Sequence, residues 1–239
     1  PPPPPPPFSS RRRHTRCSRW SRGLGDVYKR QLLEFKHPEA ETLCPKLLTF
    51  FLSRETDQYR DDITRDTQTG ALFESRFDLF YWKDREIQPM VEFIHGSLAR
   101  VIAELNQYSA AQMGQLRFNY HAWFHVTRKG GFQAMHNHPN ASWSGIFCVD
   151  PGEPANDPRE GKVRMYDPRT NANMYMDPGC ENMQSPFSFG SMEIQHEAGK
   201  LWIFPSYLMH EIFPYYGEKP RVVVAFNCWL TAPGATKNY

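Results

Sequence analysis

The alternation of apolar and polar positions changes period once along the chain. Ile87, Met90, Val91, Ile94, Leu98, Val101, Ile102 and Leu105 recur at intervals of three and four, the spacing of one apolar face on an α-helix. Pro89 falls early enough to occupy its first turn, where a missing N–H is harmless. A second helix is expected over Glu39–Leu52, where Leu43, Leu47, Leu48 and Phe51 share a face and Pro45 must lie near the first turn or kink the axis. Thr56–Trp82 carries mixed signals and receives no assignment.

From Leu116 onward the period drops to two. Phe118, Tyr120, Ala122, Phe124 and Val126 alternate with Asn119, His121, Trp123 and His125, the pattern of a half-buried strand, and the Arg128-Lys129-Gly130-Gly131 turn closes it. Further β-rich runs cover Ala141–Val149, Val163–Tyr166, Phe187–Ile194, Leu201–Phe204 and Arg221–Leu230. Helices followed by short strands predict an α+β fold in which N-terminal helices pack on a double-stranded β-helix, a jelly roll or cupin-like barrel. The expected organisation is a mainly helical part over 32–115 and a β-helix catalytic core over 116–239, together one domain.

Residues 1–31 fit neither period. A proline run followed by an arginine-rich stretch gives this segment a net charge of +7, against −5 for the remainder. It is expected to be disordered, and it resembles translated library adapter, so it is set aside as an artefact. The acidic body, lacking a basic stripe, argues against nucleic acid as the main partner. No run approaches the roughly 18–20 apolar residues that cross a bilayer, so no membrane association is expected. Cys44, Cys148, Cys180 and Cys228 stand far apart without a C-x-x-C pair, which predicts buried thiols in a reducing, cytoplasmic compartment.

The candidate chemistry lies in the β-rich part. His136 and His138 form an H-x-H pair after the glycine turn, and on an extended strand both rings point to one side. His210 closes an apolar strand some seventy residues later, where a barrel can bring it to the same mouth. These three are the candidate metal ligands. Neutral imidazoles suit iron, zinc, copper and nickel alike, so the ligand set does not choose the metal. An alternative takes His138 as the first ligand and His136 as its supporting donor. His37, His95, His121 and His196 are expected to be structural or solvated, whereas His125 is placed to line the cofactor pocket.

Cupin motifs match in part. Gly130 precedes His136 at the cupin spacing, but the glutamate ligand position falls on Ser142 or Trp143, and Tyr207 replaces the last glycine of the second motif, which Gly199, Pro205 and His210 otherwise match. Arg221 points elsewhere. It opens the apolar run Arg221–Asn227, eleven residues after His210. Unless it reaches solvent at a sheet edge, its guanidinium fork offers a carboxylate two parallel hydrogen bonds. A dicarboxylate could then chelate a metal at one end and meet Arg221 at the other.

The ordered set W-x-H-V-x-R-K-G-G from Trp123, H-x-H-P-N-A-S-W-S-G from His136, Y-D-P-R from Tyr166, G-K-L-W-I-F-P-S-Y-L-M-H-E-I-x-P from Gly199 and R-V-V-V-A-F-N from Arg221 resembles the 2-oxoglutarate/Fe(II)-dependent oxygenases. The resemblance implies a double-stranded β-helix, Fe(II) on the histidines, 2-oxoglutarate as cosubstrate and Arg221 on its distal carboxylate. Two positions depart from the wider superfamily: His138 stands where a carboxylate ligand is usual, and Val223 where a hydroxyl often assists the arginine. The expected activity is oxidative decarboxylation of 2-oxoglutarate coupled to hydroxylation of a small-molecule or protein substrate, with O2 consumed and a homodimer as the candidate assembly. A three-histidine dioxygenase that uses no 2-oxoglutarate and a non-enzymatic, metal-dependent binding jelly roll are the alternatives.

Overall fold

A computed structural model describes residues 32–63, 65–155, 157–168, 177–183 and 190–233. Among the described residues, ten strands form two antiparallel sheets. The larger has the order β1 (Leu33–Lys36), β8 (Lys200–Pro205), β5 (Trp143–Asp150), β10 (Arg221–Thr231), β3 (Arg117–Thr127), β2 (Leu72–Glu74). The smaller has the order β4 (Gly131–His136), β9 (His210–Tyr215), β6 (Val163–Met165), β7 (Met192–Ile194). Together they make the jelly roll that the period of two predicts.

The larger sheet is buried on both faces, and period two sorts its side chains. Val222, Val224 and Phe226 of β10, Phe124 and Val126 of β3 and Phe147 of β5 turn outward into a core shared with two helices. These are α1 (Ala40–Ser53), which supplies Leu47 and Phe51, and α2 (Gln88–Asn106), which supplies Met90, Ile94 and Leu98. Phe51 lies against Phe124 with ring centroids 4.8 Å apart. The alternate residues, among them Val223, Ile146 and Phe204, turn inward and meet Val163, Ile194 and Ile212 of the smaller sheet.

Two expectations are corrected. The part read as mainly helical also supplies both edge strands of the larger sheet, β1 and β2. These have four and three residues, too few for a period to stand out, although Leu33 and Phe35 do pack on the helical core while Glu34 and Lys36 are exposed. Strand β3 is not half-buried: from Ala122 to Thr127 every residue is buried, because the inward face lines a cavity. Pro45 is the sixth residue of α1, just past its first turn. Of the run Phe187–Ile194, Met192–Ile194 is strand, and 187–189 lie outside the described residues, as does Arg169 of the Y-D-P-R motif.

Candidate metal centre

Strands β4 and β9 pair so that His136 faces His210 across the ladder. Their ring centroids are 4.3 Å apart. His138 joins them from the loop after β4, 5.1 Å from His136 and 5.2 Å from His210 between ring centroids. One nitrogen from each of the three rings lies within 4.8 Å of the others. The three sequence candidates therefore converge, but not by strand alternation, since β4 ends at His136. The His138 backbone N–H donates to Ser206 O at 3.0 Å, which turns the loop back over the mouth.

The second nitrogen of each ring is already engaged. His136 Nδ1–H donates to Ala134 O at 2.7 Å, and His210 Nδ1–H to Leu208 O at 2.9 Å. Both contacts leave Nε2 bare, the arrangement by which outer hydrogen bonds fix the tautomer of metal-binding histidines. His138 Nδ1 lies 3.2 Å from the Asn227 side-chain amide. That amide also bonds Ser144 Oγ at 2.7 Å, and Ser144 Oγ lies 2.8 Å from Ser206 Oγ. Burial lowers the ring pKa of all three: His136 below its usual value, His210 well below it, and His138 to about 3 with help from His136, His125 and Arg65. Neutral rings are the form that binds metal. The donor set thus fits a divalent transition ion.

Arg221 lines the same cavity as the three histidines. It is 2% exposed, and its Nε and Nη2 have no hydrogen-bond partner among the described residues. Burial lowers its pKa, while Cys148 and Tyr215 nearby oppose that shift. A buried, unpaired guanidinium costs several kcal/mol unless something anionic meets it, by the order of magnitude for isolated buried charges. The cavity wall beside it is apolar, built from Ile146, Phe204, Ile212 and Val223.

His125 lines the cavity too, with its Nε2 2.6 Å from Glu74 Oε2 and 2.9 Å from Trp123 Nε1. Glu74 also accepts from Gln68 Nε2 at 2.7 Å and from Arg65. Burial pushes the Glu74 carboxyl up, but His125 and Arg65 outweigh it and the net shift is downward, so the group is an anion. Of the histidines read as structural, His95 bonds the Tyr120 hydroxyl at 2.8 Å and His37 accepts from the Glu39 N–H at 3.1 Å. His121 packs on Trp229. His196 is buried, and both its ring nitrogens lack partners among the described residues.

Sequence reasoning missed Asn227, Ser144 and Glu74. Asn227 was within reach, because it continues the inward register of Arg221, Val223 and Ala225. Glu74 lies in the segment without assignment, and nothing in its neighbours marks it.

Residues 121–227 match the family model described as "Putative 2OG-Fe(II) oxygenase". The match runs from the inward face of β3 to Asn227 and so takes in His125, all three clustered histidines and Arg221. These residues belong to the 2OG-Fe(II) oxygenase family. No curated protein sequence matches the chain. Among solved structures, the chain is similar to a Pseudomonas putida prolyl-4-hydroxylase (13% identity, 83% of this chain and 92% of that one, TM-score 0.53). It is also similar to the non-haem α-ketoglutarate-dependent epimerase SnoN of nogalamycin biosynthesis (8% identity, 88% and 89% covered, TM-score 0.57). HygX of Streptomyces hygroscopicus, solved with nickel, 2-oxoglutarate and hygromycin B, aligns over 87% of this chain and 86% of that one at 14% identity and TM-score 0.50. At these identities the likeness establishes the fold. Among the described residues, no helix is long and apolar enough to cross a membrane.

Proposed function

We propose that the cavity binds Fe(II) through His136, His138 and His210 and 2-oxoglutarate through Arg221, and that the enzyme hydroxylates a small-molecule or protein substrate. The observation that carries this reading is the buried Arg221 guanidinium, without a partner at Nε and Nη2, in the same cavity as three neutral imidazoles. When bound, iron and 2-oxoglutarate supply the oxidising chemistry: O2 is consumed, 2-oxoglutarate leaves as succinate and CO2, and the second oxygen atom enters a substrate C–H bond.

The chain's own residues prepare the site. Ala134 O and Leu208 O hold the Nδ1 protons of His136 and His210, so each Nε2 presents its lone pair inward. At the third ring the Asn227 side-chain amide faces His138 Nδ1, and the amide oxygen accepts from Ser144 Oγ, which holds the ring in place over the mouth. Three neutral ligands leave the full +2 charge on the ion, which favours an anionic chelator. Arg221 fixes the distal carboxylate with charge-assisted hydrogen bonds. Ile146, Phe204, Ile212 and Val223 keep the space between them dry, which strengthens every electrostatic contact inside. His125, held by Glu74, borders the cosubstrate as part of the wall.

Reconstitution with Fe(II), ascorbate and 2-oxoglutarate in air tests the proposal without the true substrate. Slow uncoupled succinate release that requires the metal supports it. Oxygen consumption indifferent to 2-oxoglutarate would favour the three-histidine dioxygenase instead.

A further inference from the structure

Gln133 and His136 both line the cavity, although they stand three residues apart on β4. Strict alternation sends residues an odd number apart to opposite faces of a strand. The β4–β9 ladder slips its register between Gly131 and Gln133 and again between Gln133 and His136, and such irregularities re-aim a side chain, here Gln133 into the cavity beside the histidines. The Gln133 backbone is held from both sides, paired with Ile212 of β9 and bridged to Gln68. The residue is 7% exposed, and its carboxamide makes no hydrogen bond among the described residues.

The two sheets set Gln133 between the clustered histidines and Arg221. On the smaller sheet Gln133↔Ile212 is the next pair after His136↔His210, and on the larger sheet Val223, one inward step from Arg221, pairs with His125. This middle layer has an apolar side, Ile212 and Val223, and a polar side, Gln133 and His125. A 2-oxo dicarboxylate spanning the cavity carries five oxygen atoms. The keto oxygen and one oxygen of the adjacent carboxylate chelate the metal, and the two of the distal carboxylate meet the guanidinium fork. The fifth, the other oxygen of the chelating carboxylate, needs a donor in a largely apolar space. Most polar groups of the wall are already spent. Ser144 Oγ donates to the Asn227 amide oxygen at 2.7 Å, the Trp123 indole nitrogen lies 2.9 Å from His125 Nε2, and that Nε2 faces the Glu74 carboxylate at 2.6 Å. A ring that spends its Nε2 proton on an anion keeps a lone pair on Nδ1, so His125 has an acceptor left rather than a donor.

We infer that Gln133 binds the metal-chelating carboxylate of 2-oxoglutarate, donating its side-chain N–H to the oxygen that the metal does not take. The inference rests on the reading of this cavity as a 2-oxoglutarate site. Gln133 and Arg221 then grip opposite ends of one molecule and answer differently to its length. Arg221 recognises the distal carboxylate, whereas Gln133 recognises the 2-oxo acid head that every ligand of the class shares. A neutral amide suits that end, where the metal already supplies the positive charge.

Calorimetry on the Fe(II)-loaded protein under anaerobic conditions tests this, with 2-oxoglutarate and with 2-oxobutyrate, which keeps the 2-oxo acid head and lacks the distal carboxylate. Gln133→Leu and Gln133→Met, which keep the bulk without an N–H, should each weaken both ligands by the same factor, about ten- to a hundred-fold on the scale of a hydrogen bond to a charged group. Iron content should stay at the wild-type level, and Arg221→Ala, measured alongside, should weaken 2-oxoglutarate alone. Unchanged affinities would overturn the inference. So would a loss confined to 2-oxoglutarate, which would move Gln133 to the distal end, or a loss of iron, which would make it a prop for His136. If neither 2-oxo acid binds the metal-loaded wild type, the cosubstrate reading fails and takes the assignment with it. Should the variants fail to fold, the side-chain amide NMR signal of Gln133 in the Zn(II)-loaded wild type decides: it moves with either ligand, and no movement sinks the assignment.

Discussion

His136 and His210 face each other across the β4–β9 ladder with ring centroids 4.3 Å apart, each with Nδ1 spent on the backbone carbonyl two residues before it. The ladder sets the distance between the rings and the carbonyls set their tautomer, so both Nε2 atoms are prepared before any ion arrives. Alanine at His136, His138 or His210 should each abolish stoichiometric iron, measured as metal content after reconstitution. Full iron retained by His136→Ala alone would show that His138 and His210 suffice and that His136 is a supporting residue.

Asn227 holds His138, whose loop has no strand to fix it. Removing such an outer contact typically costs ten- to a hundred-fold in metal affinity, so Asn227→Ala should weaken iron binding by about tenfold or more. Thermal stability should fall far less. Competition with a chelator measures the first and a melt the second; equal metal affinity in the variant would detach Asn227 from the site.

Arg221→Ala should weaken 2-oxoglutarate about ten- to a hundred-fold, from the roughly 1.5–3 kcal/mol of a charge-assisted hydrogen bond, while metal content stays at the wild-type level. A variant that loses metal and cosubstrate together would indicate a collapsed cavity instead.

Gly145 lies where the two cores press on β5. A Cβ there would stand 2.5 Å from the Phe226 ring and 2.7 Å from Trp202 O, and the carbonyl cannot yield without opening the β5–β8 pair. Gly145→Ala should therefore cost about 1–3 kcal/mol, the range for overpacked cores, seen as a lower denaturation midpoint. An unchanged midpoint would mean that β5 shifts freely.

The metal-free protein should lose stability as acidity rises. The rings of His136, His138, His196 and His210 are all held below the ordinary histidine value by burial, His138 at about 3. The unfolded chain then binds protons first. Their contribution is complete above pH of about 6.5 and falls as pH drops from there toward the folded values, by up to about 1.4 kcal/mol per pH unit for each ring. Urea midpoints of chelator-treated protein at stepped pH would show the decline; a flat profile between pH of roughly 7 and 5 would contradict the burial of these rings.

Much of this was legible in the sequence, because period is legible. Alternation along β3 places Phe124 on one face and His125 on the other, Arg221 stands out at the head of an apolar run, and the intervals of α2 mark its buried stripe. What escaped were features that no local pattern encodes. β1 and β2 are too short for a period, Glu74 pairs with His125 through a register that only the folded sheet sets, and His138 reaches the cluster by a loop rather than by alternation.

The central claim is that one cavity holds a metal on three histidines and a dicarboxylate between that metal and Arg221. Anaerobic addition of 2-oxoglutarate to the Fe(II)-loaded protein tests it most directly, read as the visible charge-transfer absorption that appears when a 2-oxo acid chelates ferrous iron. The account predicts that the band develops in the wild type, needs higher 2-oxoglutarate by about ten- to a hundred-fold in Arg221→Ala, and is absent from His210→Ala. Iron bound at full stoichiometry in the wild type with no band at saturating 2-oxoglutarate would contradict it.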